Sequence, residues 1–367
     1  MEKKWPLGTL PKTVKIFLLA YCLIVILSYF WSEYPAASFR GVFKIAQQIT
    51  VCILSSTLLT AKKESLRFFE MATLALVAWV CFNGYYQYFS GYDLMRHFPI
   101  AGFSEGGRIT GSFKVYTMLA AFLILILPYL FFLTVYRFKN KKIQIAACFV
   151  LGLSFMELIL TRSRGAILAM CLGVICLLFI KKYFKFLFLF LIVLGLAATL
   201  IPRRHLLHVN LEGKEQSIGE RLQLWTRALD VIKAKPLTGT GINTYNSAHE
   251  KYDTHQSGRV KHYYAHNGYL QLAAETGIPS LILFLLFLLG TFVHILKIYW
   301  KSHHKDRHIL LGLAVGIINF LLLVAVDTVL HSPQPAMTFW FMFGVIIAYA
   351  DLYAVNQVKI ASATAVK

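Results

Sequence analysis

The chain has 367 residues, of which 57% are hydrophobic and only 15% charged, with a formal net charge of +20. A soluble domain carries about 25% charged residues, so this composition, with repeated apolar runs near 20 residues long, excludes an ordinary soluble fold and points to a polytopic α-helical membrane protein. The alternating segments of about 10 residues that build a transmembrane barrel are absent, and the Lys and Arg lie mostly in short loops between apolar runs, which excludes nucleic acid as the partner the charge implies.

In chain order, Met1 to Lys15 carries Lys3, Lys4, Lys12 and Lys15 ahead of an apolar run to about Trp31. The run is long for a signal peptide, and no small-residue cleavage site follows it cleanly, so it reads as a first transmembrane helix. Further spans fall at about 39–60, 67–89, 113–136, 143–160, 165–180, 186–201, 277–299, 308–330 and 337–354, which makes about ten helices. Lys62, Lys63 and Arg67, then Arg137, Lys139, Lys141 and Lys142, then Lys181, Lys182 and Lys185, then Lys301, Lys305 and Arg307 occupy every second loop. Cytoplasmic loops are enriched in Lys and Arg, so both termini are expected in the cytoplasm and the long segment between spans seven and eight on the outside, the periplasm of a bacterium. The chain divides accordingly into residues 1–201 (spans one to seven), 202–276 (a large, partly helical outward loop) and 277–367 (spans eight to ten and a cytoplasmic tail). The six cysteines all fall inside apolar runs and read as small hydrophobes without disulfides.

The loop is the one long polar segment. Leu222, Trp225, Leu229 and Ile232 recur at helical spacing, with Arg221, Arg227, Asp230 and Lys233 interleaved, which predicts an amphipathic helix at the membrane face. Pro236 and the Gly239/Gly241 pair end it. A second helix is predicted over Tyr263–Thr276, carrying His266, with Gly277 and Pro279 marking the break before the next span. The earlier outward loop, 90–112, is glycine-rich and holds Arg96 and Arg108, and a five-residue turn, Thr161 to Gly165, holds Arg162 and Arg164 against the positive-inside trend.

Arg162, Arg164, Arg221 and Arg108 are therefore candidates to converge on one anion, because guanidinium binds phosphate oxygens in a bidentate fork. A single outward arginine is as readily explained by lipid phosphate or a helix end; the shortness of the Arg162/Arg164 turn argues for a site. His266, beside Asn267 and several tyrosines, is the candidate proton acceptor. His262, four residues earlier, offers a metal-sharing alternative, but no acid completes the set, so no metal and no cofactor is expected. Lys44, Glu157 and Asp327 are ionisable groups inside predicted spans, where they are costly and often functional. Lys44 is expected near the outer end of its helix within reach of an anion, Asp327 to pair with His331, and Glu157 to orient the arginine pair. A transporter or anion channel using those three groups is the alternative from a different class, although no broken-helix pair or internal repeat supports it.

The chain resembles the bacterial O-antigen ligase/polymerase family of polytopic glycosyltransferases. The resemblance rests on His266-Asn267, nine residues, Gly277, and Ser280 where the ligase pattern has Thr; on Trp31-Ser32-Glu33-Tyr34-Pro35; on Arg108 with Thr110-Gly111-Ser112-Phe113; on Ser163-Arg164-Gly165; and on Arg221, Trp225, Pro236 and Gly239-Thr240-Gly241 in that order. It implies transfer of a glycan from undecaprenyl pyrophosphate to a lipid A–core hydroxyl on the periplasmic face of the inner membrane, by an inverting, metal-independent mechanism. Arg164 and Arg221, with Arg162, would hold the pyrophosphate and His266 would activate the acceptor; Lys44, Arg108 and Asn267 are further possible substrate contacts. A polymerase would share the fold and the donor, taking a second lipid-linked glycan as acceptor. A protein O-glycosyltransferase fits less well, since the large extra C-terminal domain is lacking.

Overall fold

A computed structural model describes residues 7–61, 63–100, 107–189, 191–192, 218–253, 264–302 and 305–365. Among the described residues the fold is all-helical, with one isolated bridge between Tyr92 and Pro99 and no strand. The helices are α1 (Lys12–Leu27), α2 (Pro35–Ala61), α3 (Lys63–Ser90), α4 (Tyr116–Tyr136), α5 (Lys141–Leu160), α6 (Arg164–Ile180), α7 (Ile218–Ala234), α8 (Gly268–Thr276), α9 (Ile278–Lys301), α10 (His308–Val324) and α11 (Pro333–Ala365). Six of them, within α2, α3, α4, α5, α9 and α11, are long and apolar enough to cross a membrane; α6 and α10 are shorter apolar helices. The chain is a membrane protein. The seventh expected span, 186–201, lies largely outside the described residues.

Burial sorts these helices into a centre and a rim. The apolar stretches of α4 and α11 are 78% buried, against 28% for α2 and α5. Helix α10 likewise buries residues on every side, from Ile309 through Val324. A helix apolar all round has no face to give to water, so these three occupy the middle. Around them α2 packs on α11, α1 on α9, α6 on α10, and α5 on α3 and α4. The rim helices turn large side chains such as Phe149, Phe68 and Leu289 outward, the surface expected against lipid. Of the cysteines, all free, Cys52 and Cys81 are buried as expected, whereas Cys148 lies exposed on this outer surface of α5.

Helices α4 and α10 approach closely. Gly312 and Gly316, four apart on α10, lie against the carbonyls of Pro128 and Leu125; a Cβ at Gly316 would stand 2.1 Å from the Leu125 oxygen. Small residues at this spacing let two backbones approach where lipid supplies no hydrophobic drive. Pro128 lies inside α4 and cannot donate to the carbonyl four residues earlier, Ile124. Asn319 on α10 donates its Nδ2 to that oxygen at 3.2 Å. Gly173 on α6 leaves the room for the Asn319 amide. Replacement Asn319→Leu should therefore strand a buried carbonyl and destabilise the bundle by about 1–3 kcal/mol. Thermal unfolding in detergent would read this as a lower midpoint, and an unchanged midpoint would contradict the account.

Two boundaries that bear on the site differ from the sequence reading. The second loop helix starts at Gly268, not Tyr263, because the Asn267 side chain caps it by accepting from the N–H groups of Tyr269 (3.0 Å) and Leu270 (3.1 Å). His266 consequently precedes the helix, in a left-handed conformation (φ 48°). Helix α10 ends at Val324, so Asp327 is beyond the span and not within it. Its carboxylate takes the N–H of Thr328 at 2.6 Å, a local bond that competes with helix continuation.

Candidate functional site

One end of the bundle gathers the chemistry. The turn Thr161-Arg162-Ser163 joins α5 to α6, with Arg162 left-handed (φ 52°) and its N–H bonded to the Ile159 carbonyl. Arg164 is the first residue of α6, and the adjacent Gly165 packs against Val326 and Leu323, next to Asp327. Both arginines are exposed on this face. Thr117, in the first turn of α4, bonds the Asp327 carboxyl from another side. Its neighbour Tyr116 carries the Arg108 guanidinium over its ring at 4.7 Å. The Arg108 loop is itself held by Gln87 of α3, whose Oε1 accepts the N–H groups of Thr110 and Gly111, both at 2.8 Å.

Above these helix ends lies the loop unit. Helix α7 turns Ala228, Val231 and Ile232 onto Ala273 and Ala274 of α8 and onto Tyr245 and Ala265, forming a second small core. The first turns of the same stripe present Arg221 and, one turn on, Trp225, whose Nε1 donates to the His266 carbonyl at 3.4 Å. The His266-Asn267-Gly268 turn is strapped to the bundle by the Gly268 N–H, which donates to the Asp327 carbonyl at 3.2 Å. Gly is required there, since a Cβ would stand 2.7 Å from Val324. His266 Nδ1 thereby lies 3.8 Å from Asp327 Oδ1, one small ring rotation from a hydrogen bond. Burial raises the Asp327 carboxyl above the ordinary Asp range, while His266 and Arg221, both close enough to act on it, pull it back.

The structure thus sets His266 and Arg221 close to Asp327, with Arg162 and Arg164 at the start of α6 and Arg108 against Tyr116 at the start of α4. Asp327 was expected to pair with His331; it faces His266 instead, and His331 Nε2 lies 3.9 Å from Glu275 Oε2. The apolar run around Asp327 flagged the residue, but only the fold reveals its partner. Asn267 spends its side-chain oxygen on capping α8. Lys44 is drawn away from the arginines: its Nζ donates to Asn243 Oδ1 at 2.9 Å, in a separate cavity of about 40 Å³ bounded by Gln48, Glu275 and His331. Glu157 does not orient the arginine pair; it is buried against Gly84 and Cys81. Sequence reading missed Thr117 and Glu275. Glu275 accepts the N–H groups of Asn243 (2.7 Å) and Tyr245 (3.3 Å), tying the Gly239–Tyr245 strip to α8. Among the described residues no three His, Cys, Asp or Glu stand close enough to hold a metal, and His262 lies outside them.

Residues 149–285 match the O-antigen ligase family. Over that stretch the chain is similar to O-antigen ligases. It also resembles, at 22% identity over 322 residues, the "Exopolysaccharide production protein ExoQ" of Rhizobium meliloti (strain 1021), an alignment covering 83% of this chain and 71% of that protein. Both likenesses point toward the O-antigen ligase/polymerase family. The matched domain spans Arg162, Arg164, Arg221 and His266, whereas Arg108, Thr117 and Asp327 come from outside it and complete the cluster from either side.

A second set of contacts fastens the loop to the segment between α1 and α2. Trp31 Nε1 donates to the Thr238 carbonyl at 2.9 Å, and Ser28 Oγ accepts from the Ile242 N–H at 3.1 Å. Glu33 accepts from Lys235, from Lys251 at 2.7 Å, and from the Tyr252 hydroxyl. Those three donors, Lys235 foremost, push the Glu33 carboxyl down to about 2. A depressed carboxyl stabilises the native state above its unfolded pKa and loses that contribution as pH falls through the folded value. Amide exchange over residues 235–253, corrected for intrinsic rate, should be slow at pH 7 and accelerate as pH drops from about 4.5 toward about 2. Glu33→Gln should show the faster exchange already at pH 7; equal protection in both proteins would remove the tether.

Proposed function

We propose that the chain is a glycosyltransferase that moves a glycan from undecaprenyl pyrophosphate to an acceptor hydroxyl, with lipid A–core as acceptor, in the inner membrane with the cluster facing the periplasm and both termini cytoplasmic. The observation that carries the proposal is the apposition of His266 and Asp327 beneath Arg221 at the same helix ends as Arg164. A histidine whose Nδ1 faces a carboxylate presents Nε2 as a base. Arginines beside it suit a diphosphate, which needs bidentate donors and fixed positive charge.

In the proposed reaction the acceptor oxygen attacks the anomeric carbon and gives its proton to His266 Nε2. The bond from that carbon to the diphosphate oxygen breaks with its electron pair leaving on the diphosphate, and attack from the opposite side inverts the centre. Arg164 and Arg221, with Arg162, neutralise the charge that builds on the leaving group, worth on the order of 3 kcal/mol for one well-placed donor. Arg108, against Tyr116 at the start of α4, is a further candidate to contact the glycan or the diphosphate; Lys44 and Asn267, held by other bonds, are not assigned a substrate role. Asp327 holds the imidazole and stabilises its charged form. Because the arginines take the place of a cation, EDTA should leave transfer unchanged, and strong inhibition by chelator would refute the metal-free mechanism.

The likeness to an exopolysaccharide production protein favours a second reading, in which the acceptor is another lipid-linked glycan and the enzyme is a polymerase. One experiment separates the two. A strain lacking the gene is complemented with wild type, His266→Ala or Asp327→Asn, and its lipopolysaccharide and undecaprenyl-linked glycan are measured. Core without glycan, with long lipid-linked chains accumulating, supports the ligase; single repeat units on core support the polymerase. His266→Ala should reduce transfer by roughly 10²–10⁴-fold, with Asp327→Asn approaching that loss. Lipopolysaccharide and glycan unchanged by deletion would sink both.

A further inference from the structure

The end of the bundle opposite His266 carries a second cationic cluster that the proposed reaction does not use. Lys181 caps the C-terminus of α6, Arg307 precedes α10, His308 opens it, and Tyr299 lies in the last turns of α9. The Lys181 ammonium lies 5.7 Å and the Arg307 guanidinium 5.2 Å from the centroid of the one Tyr299 ring. Lys181 Nζ also donates to His308 Nδ1 at 2.6 Å, which makes that imidazole an acceptor and leaves two ammonium protons unspent. Tyr136 packs against His308 in a tilted pair, at 4.5 Å between ring centroids. Among the described residues, the charges that act on His308 are Lys181 and Arg307, and the charge that acts on Lys181 is Arg307. The nearest acid in sequence, Asp306, accepts from Arg137 at 3.0 Å. Arg307 also donates to the Ser302 carbonyl. Two cations therefore share one buried aromatic ring with, among the described residues, no carboxylate between them, an arrangement whose repulsion an anion would relieve.

We propose that Lys181 and Arg307, on the Tyr299 platform, bind the phosphate group of an anionic phospholipid in the leaflet opposite the candidate site. The position selects this ligand. The 17 residues of α6 run from Arg164 at the site to Ile180 beside the cluster, about 25 Å at 1.5 Å per residue and close to the thickness of a hydrocarbon core, about 30 Å. Lys181 and Arg307 thus stand at headgroup level on the far face. Phe179, Tyr183 and Trp300 around them are exposed, as aromatic side chains at a membrane interface are. Basic pockets between helices on this face are suited to acidic headgroups. A soluble phosphate has the same oxygen chemistry but no acyl chain for that apolar surround.

The test uses the full chain purified in neutral detergent. Dioleoylphosphatidylglycerol, dioleoylglycerol and inorganic phosphate are added separately; lipid retained in native mass spectrometry and the unfolding midpoint are read. Wild type should retain phosphatidylglycerol and unfold at higher temperature with it, while dioleoylglycerol does neither. Lys181→Gln/Arg307→Gln should retain about fivefold less or lower still. Should that protein fail to fold, single Lys181→Gln and the charge-keeping Arg307→Lys take its place, the first losing lipid and the second holding it. Stabilisation of wild type but not of the variants by inorganic phosphate alone would overturn the lipid assignment and give the anion site to soluble phosphate. Equal retention by wild type and the charge-removing variants, or by phosphatidylglycerol and dioleoylglycerol, would overturn the site itself.

Discussion

The hydrogen bond from the Gly268 N–H to the Asp327 carbonyl joins two parts of the chain that fold under different rules. Asp327 belongs to the connection at the end of a buried apolar helix, where backbone groups are satisfied by helix or by a neighbouring element. Gly268 begins a short helix in the polar loop. Their bond fixes the loop at one height over the bundle, and His266 follows, two residues earlier, opposite the Asp327 carboxylate. The small residue at 268 and the cap at 267 serve that approach. Without it, neither the histidine nor the arginine above it would have a fixed place relative to the start of α6.

One further fastening ties the loop to the bundle, and another ties the parts of the loop to each other. On one side Glu275, buried in α8, accepts the N–H groups of Asn243 and Tyr245, so a strip with no regular partner is bound to a helix. Gly239, with φ 64°, lies so near the Glu275 backbone that a Cβ would stand 2.3 Å from it, which lets the strip run directly against α8. On the other side the connection between α1 and α2 grips the same strip through Trp31, Ser28 and Glu33. Two attachments to separate parts of the chain fix the loop's position, and Glu275 holds its own strands of chain together, the condition for a preorganised site.

The bundle beneath is rigid for a related reason. A proline in α4 opens its hydrogen-bond ladder, an asparagine from α10 closes it, and a glycine in α6 makes room for that asparagine. A polar exchange of this kind inside an apolar bundle sets the relative register of three helices. Because α6 begins at Arg164 and α10 ends just before Asp327, the same register sets how the arginine turn meets the carboxylate. Helix packing and site geometry are consequently one problem in this protein.

Composition and periodicity alone determined that the chain is a helical membrane protein, roughly where its helices run, and that a helix lies around Leu222–Ile232, because a bilayer demands long apolar runs and helical spacing repeats every third or fourth residue. The buried face of that helix runs through Leu224, Ala228 and Val231, while Leu222 and Leu229 are exposed. The arginines and His266 stood out as well, since charge beside an apolar run is conspicuous in any order of reading. What the sequence could not supply was pairing. Asp327 lies four residues from His331 and 61 from His266, so local spacing favoured the wrong partner; tertiary packing decided it by ending α10 early and bringing the capped turn at Asn267 down onto it. Lys44 looked equally available for an anion until the fold placed Asn243 within hydrogen-bond reach. Spacing along a chain constrains neighbours within a turn or two of helix, and contacts across the bundle exist only once the helices have packed.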